Sequence, residues 1–310
     1  MLSTNIGKLN IKTCIYNASG PLCTDYNELE TLMNNPHTGI VLTKSCTLDM
    51  KIGNDLPRYY ETYNSSINST GLANLGYKKY LNFADKLTEK PYFMSVSGLS
   101  LEDNLKIITE INGNVNVKGI ELNLSCPNII GKPQIGYDFD SIENILDNVF
   151  EKCDFNNNQL FGLKLPPYFD NIYFEKLADI FNKYPKINFL TCINSIGNGL
   201  IINDDTIAIK PNNGLGGLGG ACIKPIALSN VHQFYKLLGN KIDIIGCGGV
   251  VDGQDVFEHI LCGASAVQIG TQYIKDGDRC FKKISMELER IMSMKGCVEI
   301  NDFKGRLRYL

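Results

Sequence analysis

Four sets of residues in this chain carry chemistry that packing alone does not need. In 119-GIELNLSCPN-128 an apolar run stops at Asn123, Ser125, Cys126, Pro127 and Asn128, leaving a thiol between two amides. A thiol ordinarily titrates near about 8.5 and becomes a usable general base once neighbouring donors ionise part of it. A nucleophilic cysteine would want a histidine to activate it. His37, His232 and His259 fall near no strand end in the sequence, so a base is the preferred reading of Cys126. Cys14, Cys192 and Cys262 are expected to be small buried hydrophobes.

Lys44 and Lys164 stand inside the apolar runs GIVLTKS and FGLKLPP. An unpaired buried ammonium is costly, so each must snorkel outward or serve a site, where it would compensate negative charge on a ligand. Asn68, Asn123, Asn128 and Asn194, with Ser195, offer donors and acceptors to a flat polar molecule, although asparagine is abundant here and any one could be structural. The glycines form three sets, Gly214 to Gly220, Gly248-Gly249 and Gly270-Thr271. Glycine lets backbone N–H groups approach a phosphate, yet turns use it too, so the argument rests on three sets together. No GxxxxGK[ST] occurs, and no GxGxxG opens a helix ahead of a ribose-binding acid, which favours a mononucleotide over ATP or NAD.

Eight short apolar runs have to position these groups. They are TCIYNASG (13–20), GIVLTKS (39–45), YFMSVSG (92–98), GIELNLS (119–125), FGLKLPP (161–167), FLTCINS (189–195), IDIIGCGG (242–249) and SAVQIGT (265–271). They lack strict alternation, as expected of parallel strands buried on both faces. Helical segments such as LEDNLKIITEI, DSIENILDNVFEKC, YFEKLADIFNKY and DGQDVFEHILC follow several of them. In YFEKLADIFNKY, Phe174, Leu177, Ile180 and Phe181 recur three or four apart. The pattern predicts one domain over 1–310, a (β/α)8 TIM barrel with inserted loops after strands 2, 4 and 6; an open doubly wound sheet is the alternative. Each run ends in small or functional residues, and a barrel gathers such ends at one mouth. Loops as long as 46–80 and 196–225 usually carry function.

Bulk properties exclude several classes. The 310 residues carry a net charge of −3, giving no basic field for nucleic acid or an anionic membrane. No signal peptide and no run of 18 apolar residues is evident, so neither secretion nor membrane insertion is expected. The eleven cysteines lack CxxC spacing and read as reduced cytoplasmic thiols, and no metal site is expected.

With these residues in view, the chain resembles the dihydroorotate dehydrogenases, specifically the soluble class 1A. ASGPLC, LTKSCT, SINSTGLANLG, ELNLSCPNIIGKPQ, KLPPYFD, TCINSIGNGL, GGLGG, GCGGV and VQIGT stand in the family order. The resemblance implies an FMN-containing barrel that oxidises dihydroorotate to orotate in pyrimidine synthesis. Cys126 resembles the base that takes the C5 proton while C6 delivers hydride to flavin. Lys44, Asn68, Ser69, Thr70, Gly71, Leu72, Asn123, Asn128, Asn194 and Ser195 resemble the substrate-binding set. Ser19, Gly20, Lys44, Ser45, Asn123, Lys164, Ile193, Gly219, Gly220, Cys247, Gly248, Gly249, Gly270 and Thr271 resemble the FMN contacts. The resemblance further implies a cytoplasmic homodimer with fumarate, reduced to succinate, as electron acceptor. Residues 129–136, IIGKPQIG, are expected to act as a lid with Gly131 and Gly136 as hinge points. Thr70 and Ala73 depart from the family's usual Met and Pro, which puts the shape of the pocket wall in question.

Rival readings stay open at this stage. They are a flavin dehydrogenase of another dihydropyrimidine, the same oxidation with NAD through a partner subunit, a non-catalytic FMN-binding scaffold, and a phosphosugar lyase or isomerase using Lys164 as a Schiff base.

Overall fold

In the computed structural model, residues 1–125, 134–155, 159–239 and 241–310 are described. The eight apolar runs are eight parallel strands: β1 (Ile15–Asn17), β2 (Val41–Leu42), β3 (Tyr92–Val96), β4 (Val117–Asn123), β5 (Leu160–Leu165), β6 (Phe189–Cys192), β7 (Asp243–Cys247) and β8 (Ala264–Ile269). Their order in the sheet is β1-β8-β7-β6-β5-β4-β3-β2, every pairing parallel. Every residue of β3, β5 and β8 is buried, which is why these strands show no polar alternation. The ring closes between β1 and β2 through one backbone bond, Gly39 N–H to Ile15 O (2.8 Å), and a side chain. Asn17 Nδ2 donates to Leu42 O (2.7 Å) and Asn17 Oδ1 accepts from Leu42 N–H (3.0 Å), so one amide replaces a ladder rung.

The helices are α1 (Tyr26–Asn34), α2 (Tyr77–Ala84), α3 (Leu101–Ile111), α4 (Phe139–Lys152), α5 (Asn171–Asn182), α6 (Lys224–Leu238), α7 (Gly253–Leu261), α8 (Thr271–Asp276) and α9 (Arg279–Met294). Polar residues start several of them: Asp25 and Asp252 make capping boxes, and Ser100, Asp138 and Asp170 cap single backbone N–H groups. No helix of the described residues is long and apolar enough to cross a membrane.

The long insertions expected after β2 and β6 contain strands of their own. Ile196–Leu200, Leu215–Gly219, Ser66–Asn68 and Tyr59–Glu61 form one antiparallel four-stranded sheet, in that order. Glycine and asparagine make up most of Ile196–Leu200 and Leu215–Gly219, and Tyr59–Glu61 and Ser66–Asn68 are very short, so the apolar period that betrays a strand is missing. The run Gly214 to Gly220 belongs mostly to this sheet, and its end, Gly219 and Gly220, lines the cavity described below. A Cβ at Gly217 would overlap Ser195 Oγ, so glycine there serves close approach of two chains. At the opposite end of the barrel a hairpin, Thr4–Ile6 with Leu9–Ile11, precedes β1. Its turn donates Gly7 N–H to Asp243 Oδ2 at the start of β7 (2.7 Å).

After β4 the described chain reaches Ser125 and resumes at Gln134, leading through a short turn, Ile135–Tyr137, into α4. Gly136 does not suit the hinge role expected of it. Its N–H is bound to Leu124 O (2.7 Å), its carbonyl accepts from Tyr168 Oη (2.5 Å), and Pro166 fills the space beside its Cα. Cys126, Asn128 and Gly131 lie outside the described residues.

Candidate active site

The C-terminal ends of the strands and the added sheet enclose a cavity of about 590 Å³. Distant tips of the chain meet there. Ser19, Gly20, Lys44, Ser45, Asn68, Thr70, Leu72, Asn123, Lys164, Ile193, Asn194, Ser195, Gly219, Gly220, Cys247, Gly248, Gly249, Gly270 and Thr271 all line it. Ser69 and Gly71 do not. Asn68 faces the cavity, so the next residue on the chain, Ser69, turns away, and its carbonyl accepts from Asn54 Nδ2 (2.9 Å). Gly71, at φ +67°, packs its Cα against the Asn54 carboxamide. Both form the back of the wall.

The electrostatics are one-signed. Lys44, Lys164 and Lys275 line the cavity, and no aspartate or glutamate is among the described lining residues. Lys44 is 9% and Lys164 3% exposed, so neither snorkels into solvent. Lys44 Nζ donates to Ser19 O (3.4 Å). Lys164 Nζ donates to Gln268 Oε1 (2.8 Å) and Cys247 Sγ (3.5 Å). Burial works to lower the proton affinity of Lys164, but Cys247 and Glu121 outweigh it, and the pKa moves above the ordinary lysine value. Burial raises the Cys247 thiol, with Lys164 pulling the other way, and the carboxyl group beside this pair inside the barrel is that of Glu121. That carboxylate is fully buried, accepting from Thr191 Oγ1 and Gln268 Nε2 (2.7 Å each).

Gln268 therefore relays between the two charges, with its amide oxygen on the lysine and its amide nitrogen on the carboxylate. Sequence reasoning passed over both Gln268 and Glu121. The available signal was period-two alternation: Gln268 lies two residues before Gly270 in SAVQIGT and so points to the same side.

The amides interlock. Asn194 Nδ2 donates to Ser125 O (3.0 Å) and Asn123 Oδ1 (3.3 Å), Asn123 Nδ2 donates to Ser45 Oγ (3.3 Å), and Asn68 Nδ2 donates to Gly217 O (3.1 Å). Such mutual bonding fixes which amide face meets a ligand before it arrives. At the other end, Ser66 Oγ and Thr271 Oγ1 are 3.0 Å apart, and a Cβ on Gly219 would stand 3.1 and 3.3 Å from them. Lys275 Nζ ties α8 to the added sheet through Thr62 O (3.1 Å) and Tyr63 O (3.3 Å).

A histidine does reach a strand end, contrary to expectation. His259, on α7 and fully buried, has Nε2 3.0 Å from Gly248 O. Burial lowers its pKa from 6.5 to about 4, with the Gly248 hydrogen bond pulling the other way. Above pH 6.5 folded and unfolded chains both carry it neutral, and its full contribution to stability is present. As pH falls from 6.5 toward 4 the unfolded chain takes up a proton that the folded chain refuses. Stability should drop by roughly 3 kcal/mol across that window. Urea unfolding of wild type against His259→Gln checks this: the wild-type curve should fall more steeply with acid, and parallel curves would count against it.

A (β/α)8 barrel with a cation-lined mouth and clustered glycine turns is of the class suited to anionic ligands. Comparison with known proteins narrows this. The family model described as "Dihydroorotate dehydrogenase" matches residues 1–292. A Streptococcus pyogenes serotype M5 (strain Manfredo) protein provisionally named dihydroorotate dehydrogenase A (fumarate) is 48% identical over 311 residues, covering 99% of this chain and 98% of its own length. A Streptococcus agalactiae serotype Ia protein of the same provisional name is 48% identical over 313 residues, covering 100% and 99%. The crystal structure of DHODH in complex with ferulenol from Eimeria tenella superposes with a TM-score of 0.82 at 19% identity, covering 98% of this chain and 88% of that one. The chain belongs to the dihydroorotate dehydrogenase family, with the barrel fold of that structure.

Proposed function

We propose that the protein oxidises (S)-dihydroorotate to orotate in de novo pyrimidine synthesis, with bound FMN, Cys126 as general base and fumarate as final electron acceptor. One observation carries the reading: a cavity at the barrel mouth whose described lining has three lysines and no carboxylate. Dihydroorotate brings a carboxylate and FMN a phosphate, and both need such a field.

The residues present suit FMN. The gap between the Ser66 and Thr271 hydroxyls beside Gly219, together with Gly248-Gly249, would hold the phosphate. Lys164 would face the cofactor as a cation. Bound FMN supplies a two-electron acceptor for the hydride from C6 of dihydroorotate. The chain's own residues do the rest. Lys44 would balance the substrate carboxylate, and Asn68, Asn123 and Asn194 would hold the ring amides flat. Cys126 would remove the C5 proton.

The provisional name shared by the streptococcal relatives supports fumarate. Dihydrouracil lacks the carboxylate that Lys44 would meet, which favours dihydroorotate over other dihydropyrimidines. The state expected in the cytoplasm is a homodimer. The test is the visible spectrum of purified protein before and after substrate, without oxygen. A yellow protein bleached by dihydroorotate and not by dihydrouracil is expected, with faster reoxidation by fumarate than by NAD or a soluble quinone. Absence of bleaching would sink the reading, and faster reoxidation by quinone would sink the acceptor alone.

A further inference from the structure

The end of β7 turns through Gly248 and Gly249, at φ +121° and +77°, and both line the cavity. Two bonds from α7 pin this turn. His259 Nε2 meets Gly248 O (3.0 Å), and Asp255 Oδ2 accepts Val251 N–H (2.7 Å). The helix is itself braced, since Lys224 bridges Asp255 (2.7 Å) and Glu258 (2.8 Å). Gly249 is wedged between Lys224 and the cavity, and a Cβ there would overlap the lysine's backbone and Cβ.

The bond from Gly248 to Gly249 is trans, so the Gly248 carbonyl and the Gly249 N–H point in opposite directions. Holding the carbonyl back against α7 thus turns the next N–H toward the cavity, and no acceptor among the described residues meets it. A neutral imidazole suits the task, because its one N–H is committed to the carbonyl while Nδ1 stays buried without a partner. An apolar side chain would fill the same space without burying an unpaired nitrogen, so volume alone does not explain a histidine here.

We propose that His259 is a positioning residue for the cofactor phosphate, acting through the Gly248 carbonyl to present the Gly249 N–H. It rests on the reading of the cavity as an FMN site. Riboflavin, the same ring system without the phosphate, separates the two. Full-length protein is loaded with FMN or with riboflavin, and flavin release on dilution is followed by the recovery of free-flavin fluorescence.

His259→Leu should release FMN about tenfold faster, the loss of one hydrogen bond to a charged group, and riboflavin within about twofold of wild type. His259→Gln, whose amide keeps an N–H donor, should recover most of the difference. Should His259→Leu not fold, His259→Asn, too short to reach Gly248, replaces it with the same expectation. Equal acceleration for both flavins, or unchanged FMN release, overturns the assignment of His259 alone. Wild-type protein that holds riboflavin as tightly as FMN defeats the FMN-phosphate reading, and this inference with it.

Discussion

Cys126→Ser protein should keep its yellow colour and yet be reduced by dihydroorotate roughly 10²–10⁴-fold more slowly near neutral pH, the range that positioned general bases contribute. The C5 proton of dihydroorotate is weakly acidic, and a base must take it as C6 gives up its hydride. A thiol that ordinarily titrates near about 8.5 has an appreciable thiolate fraction at neutral pH, whereas an alkyl hydroxyl has essentially none. Lys44 and Lys164 line the cavity, and Ser125, the last described residue before Cys126, is tied by its N–H (3.1 Å) and hydroxyl (3.2 Å) to Asn123 Oδ1. Anaerobic stopped-flow reduction separates this step from flavin binding and from reoxidation by fumarate. A rate close to wild type in the serine variant would move the base to another group, while loss of flavin would assign Cys126 to binding.

Much of the architecture was legible because parallel strands buried on both faces leave continuous apolar runs, and all eight such runs are barrel strands. The polar residue that ends each run marked the mouth, so the lysines, amides and glycine turns could be assembled before any coordinates. What escaped notice did so for physical reasons. The added sheet is built from strands such as IGNGL and LGGLG, whose glycines erase periodicity, and LGGLG takes one of its two partners, Ser66–Asn68, from the insertion after β2. Ser69 and Gly71 were grouped with the pocket through the resemblance of SINSTGLANLG to the family's substrate-binding set, yet Ser69 turns away from the side that Asn68 faces and Gly71 packs against Asn54. His259 looked remote because it sits in the last turn of a helix, and only the packing of α7 on β7 brings it to a strand end. Glu121 was read as one letter of an apolar strand, although a carboxylate in that position demands a cation nearby.

That demand leads to the second large effect. Lys164→Met should lose bound flavin and also destabilise the fold by about 3–5 kcal/mol, the cost of leaving a buried charge without its partner. The fully buried Glu121 carboxylate is held by Gln268 and Thr191, two neutral donors, and Oε1 has no partner among the described residues. With the ammonium gone, the Gln268 oxygen loses its 2.8 Å donor and no cation faces the carboxylate through the amide. The double variant Lys164→Met with Glu121→Gln distinguishes the two roles of the lysine. Removing both charges should restore most of the stability, since an isosteric neutral pair no longer carries the penalty, but it should not restore the flavin, which needs the cation itself. Urea unfolding and the flavin-to-protein absorbance ratio read the two effects separately. Stable, fully yellow Lys164→Met protein would show that the field at the barrel mouth does not depend on this side chain. A double variant no more stable than the single one would show that Glu121 is not its counterion.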